Sequence, residues 1–232
     1  MEKYKHIFFD LDHTIWDFEA NAKLTMHALY EDFELASIGI TNFDNFFNAY
    51  SEHNHKLWAR YTKGFIRQEE LRWKRMWHTL LDYKIANEGL SKEMSTKYLD
   101  LLPTRTKLFP YTHELLTYLK SKNYMLHIIT NGFEDVQHNK IKNSNLSQYF
   151  TNIITSQGSN SVKPEKAIFD YAMQKANAIA ANCVMIGDNI DADIQGGINA
   201  GIDTIFVNHI QAIPSIKATF EVASLQEITT IL

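Results

Sequence analysis

Short apolar runs recur along the chain, separated by longer stretches in which apolar residues return every three or four positions. The runs are residues 5–9, MLHIIT at 125–130, NIIT at 152–155, CVMIG at 183–187, TIFV at 204–207 and TFEV at 219–222. Several are nearly continuous in apolar residues, as strands covered on both faces of a parallel sheet are. Amphipathic helical patterns lie between and after them at 111–122, 133–144, 165–176, 190–200 and 224–231. This alternation predicts an α/β fold: a Rossmann-like, doubly wound parallel sheet with right-handed crossovers.

One segment breaks the alternation. Residues 16–105 hold only helical patterns, such as EANAKLTMHALYEDF and RQEELRWKRMWHTLLDYKI. The expected organisation is a helical domain at 16–105 inserted in an α/β core made of 1–15 and 106–232. All four tryptophans, Trp16, Trp58, Trp73 and Trp77, fall in the insert, and aromatics there are expected to fill a bundle core. Pro110 suits a first helical turn. The stretch Gly196 to Gly201 resembles a glycine fingerprint for dinucleotides but ends a helix, so Gly201 is read as the residue that closes that helix.

Composition narrows the function. The chain has 232 residues, 45% hydrophobic and 22% charged, with a formal net charge of −4. That balance gives no general attraction for nucleic acid or acidic membranes. Cys183 is the one cysteine, which excludes an internal disulfide and a multi-cysteine metal site; it reads as a buried core thiol. No apolar run has the length of a membrane span. The start MEKYKHIFFDLD meets charge too soon for a signal-peptide core, so a cytoplasmic location is expected. His53 and His55 have no acidic or cysteine partner placed beside them and read as a solvated helix face.

In an open parallel sheet the loops at the carboxyl ends of the strands form the ligand crevice. The first strand is followed by Asp10-Leu11-Asp12-His13-Thr14 and the second ends in Thr130-Asn131-Gly132. Lys163-Pro164 follows the third, and Gly187-Asp188-Asn189 with Asp191 and Asp193 follows the fourth. Clustered carboxylates suit a hard divalent cation, and Mg²⁺ takes a few carboxylates plus phosphate oxygens. One aspartate can attack phosphorus and a second, two residues on, can protonate the leaving oxygen. Thr130 and the amides around Asn131 and Gly132 can bind phosphoryl oxygens, and Lys163 adds positive charge.

These motifs resemble those of the haloacid dehalogenase-like superfamily: DLDHT for its first, ITNG for its second, KP for its third and GDNIDAD for its fourth. The resemblance implies that Asp10 is the nucleophile and Asp12 the acid/base. It implies that Thr130 and Lys163 bind and neutralise the phosphoryl group. Mg²⁺ would be held by Asp10, the Asp12 backbone carbonyl and Asp188, with Asn189 and Asp193 in support. The insert resembles that family's C1-type helical cap. A closer resemblance is to the YjjG/YfnB-type 5′-nucleotidases, through KLWARYTKGFIRQEELR, IITNGFEDVQ and MIGDNIDADIQGGINAGIDTIFVN. The spacing from Asp188 to Asp193, one residue longer than in many members of the superfamily, also fits that group. One departure stands out: His13 occupies a position where most of the superfamily has glycine, and either faces the substrate or fits the turn.

The expectation is therefore a Mg²⁺-dependent phosphomonoesterase for a small phosphorylated metabolite, a nucleoside 5′-monophosphate first. Lys63 and Arg67 in the insert, with His13, are the candidate substrate contacts. A phosphoglycolate-type or sugar-phosphate phosphatase is the alternative enzyme. A phospho-accepting signalling or binding protein is the alternative outside enzymes. A monomer or weak dimer is expected, with neither nucleic acid nor membrane as partner.

Overall fold

The computed structural model describes residues 3–211 and 213–232. Strand β1 (His6–Phe9) is followed by helices α1 (Phe18–Asp32), α2 (Phe43–Thr62), α3 (Gln68–Asp82) and α4 (Glu88–Leu101). Helix α5 (Thr112–Ser121) then leads to β2 (Met125–Thr130), α6 (Glu134–Asn143), β3 (Phe150–Thr155), α7 (Ser156–Ser159) and α8 (Lys166–Ala176). After β4 (Cys183–Gly187) a π-helical segment, Ile190–Gln195, runs into α9 (Gly196–Asn199), and β5 (Asp203–Val207) and β6 (Phe220–Val222) complete the sheet. The chain divides into two compact units: residues up to Phe18 together with Thr106–Leu232, and Glu19–Arg105.

The first unit holds six parallel strands in the order β3-β2-β1-β4-β5-β6. β1 and β4 are buried at every position, which is why they read as unbroken apolar runs. Phe8, Ile129, Ile154, Ile168, Phe169 and Met185 form one core layer. Fully burying a side chain of this size is worth about 1.5–3 kcal/mol. Two histidines interrupt the apolar pattern. His6 Nδ1 lies 3.2 Å from His127 Nε2, and Asn152 Nδ2 lies 3.0 Å from His127 Nδ1. The amide donates to Nδ1, so His127 carries its proton on Nε2 and donates it to His6. Burial lowers both imidazoles, His127 to about 4, so the pair is neutral near pH 7. Cys183 is buried in β4, and burial pushes its thiol up to about 12.

Two of the expected helices take other forms. The stretch at 190–200 begins as a π-helix, which is what one extra residue in a helical turn produces. The stretch at 224–231 is a 3₁₀-helix over Leu225–Thr230, where Leu225 and Ile228 are buried at the three-residue spacing of that helix. Gly201 follows α9 at φ +74° and ends it as expected.

The second unit contains α2, α3, α4 and all of α1 after Phe18. Asn42 and Asn87 cap α2 and α4: their side-chain oxygens accept from Asn45 N at 2.9 Å and Leu90 N at 3.0 Å. Its core aromatics are Phe46, Phe47, Tyr50 and Tyr98, with Leu71, Met76, Leu80 and Met94. The tryptophans correct the expectation. Trp58, Trp73 and Trp77 are only partly buried, and Trp16 lies in the first unit, where its indole donates to Ser144 Oγ at 3.2 Å. No described helix is long and apolar enough to cross a membrane.

Candidate active site

The strand order reverses between β1 and β4, and at such a switch point the loops leave in opposite directions and open a crevice. β1 delivers Asp10 there and β4 delivers Asp188. The Asp10 amide donates to Ile186 O at 2.9 Å, which ties the two strand ends together. Lys163 Nζ is buried and reaches Asp10 Oδ1 at 2.5 Å and Asp193 Oδ1 at 2.6 Å. The Asn131 side chain holds the Lys163 backbone at two points: Oδ1 accepts from Lys163 N at 2.8 Å and Nδ2 donates to Lys163 O at 3.0 Å.

Asp193 belongs to the π-helical segment and is fully buried. Its Oδ2 accepts from Asn189 N at 3.0 Å, while Asn189 Oδ1 accepts from Asp191 N at 3.1 Å and Ala192 N at 2.9 Å. The extra residue between Asp188 and Asp193 is thus absorbed in a wide turn that aims Asp193 at Lys163. Gly187 makes room for it, since a Cβ there would overlap the Asp193 carboxylate.

Asp10, Asp188 and Asp193 offer carboxylate oxygens that lie within 4.8 Å of one another. Burial pushes Asp10 and Asp188 up to about 7 and also raises Asp193. Lys163 opposes the shift in Asp10 and Asp193. Burial alone would lower Lys163, but the carboxylates of Asp10 and Asp193 outweigh it and hold the ammonium charged. Once all three carboxyl groups are ionised, one ammonium leaves them an excess of two negative charges. An all-oxygen donor set with that excess fits a hard divalent cation.

Asp12 stands apart from this cluster and has its own partners. Lys140 Nζ donates to Asp12 Oδ1 at 2.7 Å, and Gln137 Nε2 donates to Asp12 Oδ2 at 2.9 Å and to Thr130 Oγ1 at 2.7 Å. The Gly132 amide also donates to Thr130 Oγ1, at 3.1 Å. Asn131 and Gly132 therefore build the loop: the side chain of one fixes Lys163, and the amide of the other is taken by Thr130.

Gln137 and Lys140 lie outside the four strand-end motifs of the sequence. They lie three apart in α6, a helix polar almost all round, and both are buried. Their one sequence trace is that spacing, directly behind the second strand's loop. His13 sits at φ +63°, with its amide donating to Trp16 O at 2.9 Å and its ring 5.0 Å from Phe18. A left-handed backbone is where glycine is favoured, and histidine is among the residues that tolerate it. Lys63 and Arg67 lie in the second unit, in the exposed turn between α2 and α3, where Gly64 takes φ +73°. His53, expected to be without an acidic partner, pairs with Asp82 at 2.7 Å.

The fold and the clustered carboxylates define an α/β protein with a charged crevice at the switch point of a parallel sheet. A family model described as haloacid dehalogenase-like hydrolase matches residues 4–201. Bacillus subtilis YfnB, named as a HAD-hydrolase, is 31% identical over 235 residues, covering 100% of this chain and 97% of YfnB. Its magnesium-bound crystal structure matches with TM-score 0.90 at 28% identity, covering 100% of this chain and 99% of that one. The pyrimidine 5′-nucleotidase PynA of Streptococcus pneumoniae is 30% identical, covering 97% of this chain and 93% of PynA. The pyrimidine 5′-nucleotidase YjjG of Escherichia coli is 30% identical, covering 99% of this chain and 98% of YjjG. The chain belongs to the haloacid dehalogenase-like hydrolases.

Proposed function

We propose that the protein is a Mg²⁺-dependent phosphomonoesterase that works through an aspartyl phosphate on Asp10. Its substrates are nucleoside 5′-monophosphates, pyrimidine nucleotides first. The observation that carries this reading is the separation of the two aspartates at the end of β1. Asp10 joins a carboxylate cluster with an excess of negative charge, whereas Asp12 is held aside by Lys140 and Gln137. Two carboxyl groups in different surroundings are free to take different chemical roles. PynA and YjjG, both pyrimidine 5′-nucleotidases, support the substrate.

Asp10, Asp188 and the Asp12 backbone carbonyl would hold Mg²⁺, with Asn189 and Asp193 in support. Bound there, the ion supplies positive charge for the carboxylates and the phosphoryl oxygens. An Asp10 oxygen attacks phosphorus, the bond from phosphorus to the ester oxygen breaks, and Asp12 gives that oxygen a proton. Asp12 then takes a proton from water, whose oxygen attacks phosphorus, releasing inorganic phosphate and restoring Asp10. Lys163 faces the charge that gathers on the transferring group.

Recognition of the nucleoside is assigned to the α2–α3 turn of the helical unit. Phe65 there is 71% exposed and the Arg67 side chain 85%, and Lys63 is exposed beside them. They offer hydrogen-bond donors and a flat apolar face, while the loops of the first unit are engaged with Asp10, Thr130 and Lys163.

The test is kcat/KM for a nucleotide panel against phosphoglycolate and hexose phosphates, with Mg²⁺ and with EDTA. A nucleoside monophosphate is expected to lead, and EDTA to abolish turnover. A non-nucleotide leading by about tenfold, which is about 1.4 kcal/mol in transition-state binding, refutes the substrate. Arg67→Ala is expected to weaken the nucleotide reaction and spare p-nitrophenyl phosphate; equal losses on both refute the assignment of Arg67.

A further inference from the structure

We propose that Gln137 and Lys140 are positioning residues for this reaction. Together they hold both oxygens of Asp12, and Gln137 also commits the Thr130 hydroxyl to donate toward the phosphoryl group. The inference rests on the phosphomonoesterase reading and extends it to two residues of α6.

Gln137 sets one amide nitrogen between two acceptors. Its Nε2 carries two protons, and the two acceptors around it are Asp12 Oδ2 at 2.9 Å and Thr130 Oγ1 at 2.7 Å. Reversing the amide would set Oε1 against a carboxylate oxygen, acceptor against acceptor. The amide orientation is therefore fixed by Asp12.

Thr130 follows. A hydroxyl has two lone pairs and one proton. One lone pair of Thr130 Oγ1 receives Gln137 Nε2 and the other receives Gly132 N, at 3.1 Å. The remaining proton has to be donated. A phosphoryl oxygen is an acceptor, so a hydroxyl with two possible roles is reduced to the one that phosphate binding needs. Donors oriented before the substrate arrives need no reorganisation during the reaction.

Lys140 supplies the other half. Its side chain is 2% exposed, and its ammonium lies 2.7 Å from the Asp12 carboxylate and 4.3 Å and 5.4 Å from the ring centroids of Trp16 and Phe18. A buried ammonium needs a counter-charge, and π faces add attraction without accepting its proton. Asp12 thereby has one donor on each oxygen, which fixes where its carboxyl points.

Two observations speak against simple packing. Gln137 Oε1 is buried with no hydrogen-bond partner among the described residues, a cost that methionine or leucine would avoid in the same space. A Cβ on Gly132 would overlap the Gln137 side chain, so a larger residue there would push the glutamine out of its place.

The experiment uses the full chain with Mg²⁺ and two esters, p-nitrophenyl phosphate and a nucleoside 5′-monophosphate. The first has a leaving group that departs without a proton; the second expels an alkoxide, which needs one. The variants are Gln137→Glu, Gln137→Met, Lys140→Met and Lys140→Gln. The quantity read is the ratio of kcat/KM values on the two esters from one preparation, which reports the leaving-group step ahead of the shared aspartyl phosphate and does not depend on how much of the variant is folded. Lys140→Met and Lys140→Gln are expected to lower kcat/KM on the nucleotide about tenfold or more beyond the loss on the aryl ester, since misplaced acid catalysis is felt where protonation is needed. Gln137→Met is expected to lower both rates and to lower the nucleotide rate further. Gln137→Glu, equal in size but without a donor when ionised, is expected to do at least as much damage as Gln137→Met. An unchanged ratio in both Lys140 variants, or wild-type kcat in Gln137→Glu, overturns the proposal while leaving the phosphomonoesterase reading intact. Failure of the wild-type protein to release phosphate from either ester overturns that reading and this proposal with it.

Discussion

The Thr14 hydroxyl donates to Asp188 Oδ1 at 2.8 Å and accepts from Asp188 N at 3.1 Å. Thr14 is fully buried, so this two-way bond fixes the Asp188 side chain against its own backbone and leaves Oδ2 for other partners. A carboxylate held this way is aimed before a cation arrives, and outer hydrogen bonds of this kind are worth about 10–100-fold in metal affinity. Thr14→Val keeps the shape and removes the hydroxyl. We expect Mg²⁺ to activate this variant with an affinity weaker by about tenfold or more, and Thr14→Ser to restore it. Titration of activity or of tryptophan fluorescence with Mg²⁺ reads the difference. Equal midpoints for Thr14→Val and wild type would remove Thr14 from the metal's support.

The carboxylate cluster predicts an unusual pH dependence. Asp10 and Asp188 are raised by burial from 3.8 to about 7. A group bound more tightly to its proton in the folded state stabilises the fold below its unfolded pKa and loses that contribution as pH rises through the folded one. Without metal the cluster therefore destabilises the fold progressively between about pH 4 and pH 7. Mg²⁺ held by the ionised groups, as proposed, would reverse that loss. The rise in Tm caused by Mg²⁺ is expected to grow from about pH 5.5 to about pH 8. His6 and His127 act with the opposite sign, because their lowered values remove stability as pH falls from 6.5 toward 4. They act equally with and without Mg²⁺ and cancel from the difference. Thermal unfolding at several pH values, with Mg²⁺ and with EDTA, checks this, and a pH-independent difference would count against the cluster as the metal site.

Lys163 pairs with two buried carboxylates at once. Removing one partner of a buried ion pair costs about 3–5 kcal/mol, because the other charge is left uncompensated. Lys163→Met is expected to lose about that much stability without metal. Asp193→Asn in the same chain should recover part of the loss, because one of the stranded charges is then gone. Urea unfolding of the two single variants and the double variant gives the coupling directly. Strict additivity would show that Lys163 and Asp193 do not act on each other.

The strands were legible because each is an apolar run followed at once by its polar loop. Asp10, Thr130, Lys163 and Asp188 could be picked out for the same reason: each stands immediately behind such a run or before a helix start. Gln137 and Lys140 have no such marker. They sit inside a polar helix, and only the folded helix turns them both inward onto Asp12. Trp16 shows a different limit. Its apolar character announced burial, but not which unit would bury it, since it lies at the edge of the helical stretch. The long spacing between Asp188 and Asp193 was visible as a number, and its meaning needed the π-helical turn. His13 reverses that order, because the backbone angle accounts for a residue that looked out of place.

Asp10 is expected to become phosphorylated during turnover. Rapid acid quenching of the protein with Mg²⁺ and a labelled phosphate ester, followed by mass spectrometry of the peptide containing Asp10, tests it most directly. A transient phosphoryl adduct is expected on Asp10, absent from Asp10→Asn, whose turnover falls by about four orders of magnitude or more, equivalent to more than about 5 kcal/mol. Steady phosphate release by the wild-type protein with no adduct at any quench time, or turnover by Asp10→Asn within about a hundredth of wild type, would contradict it.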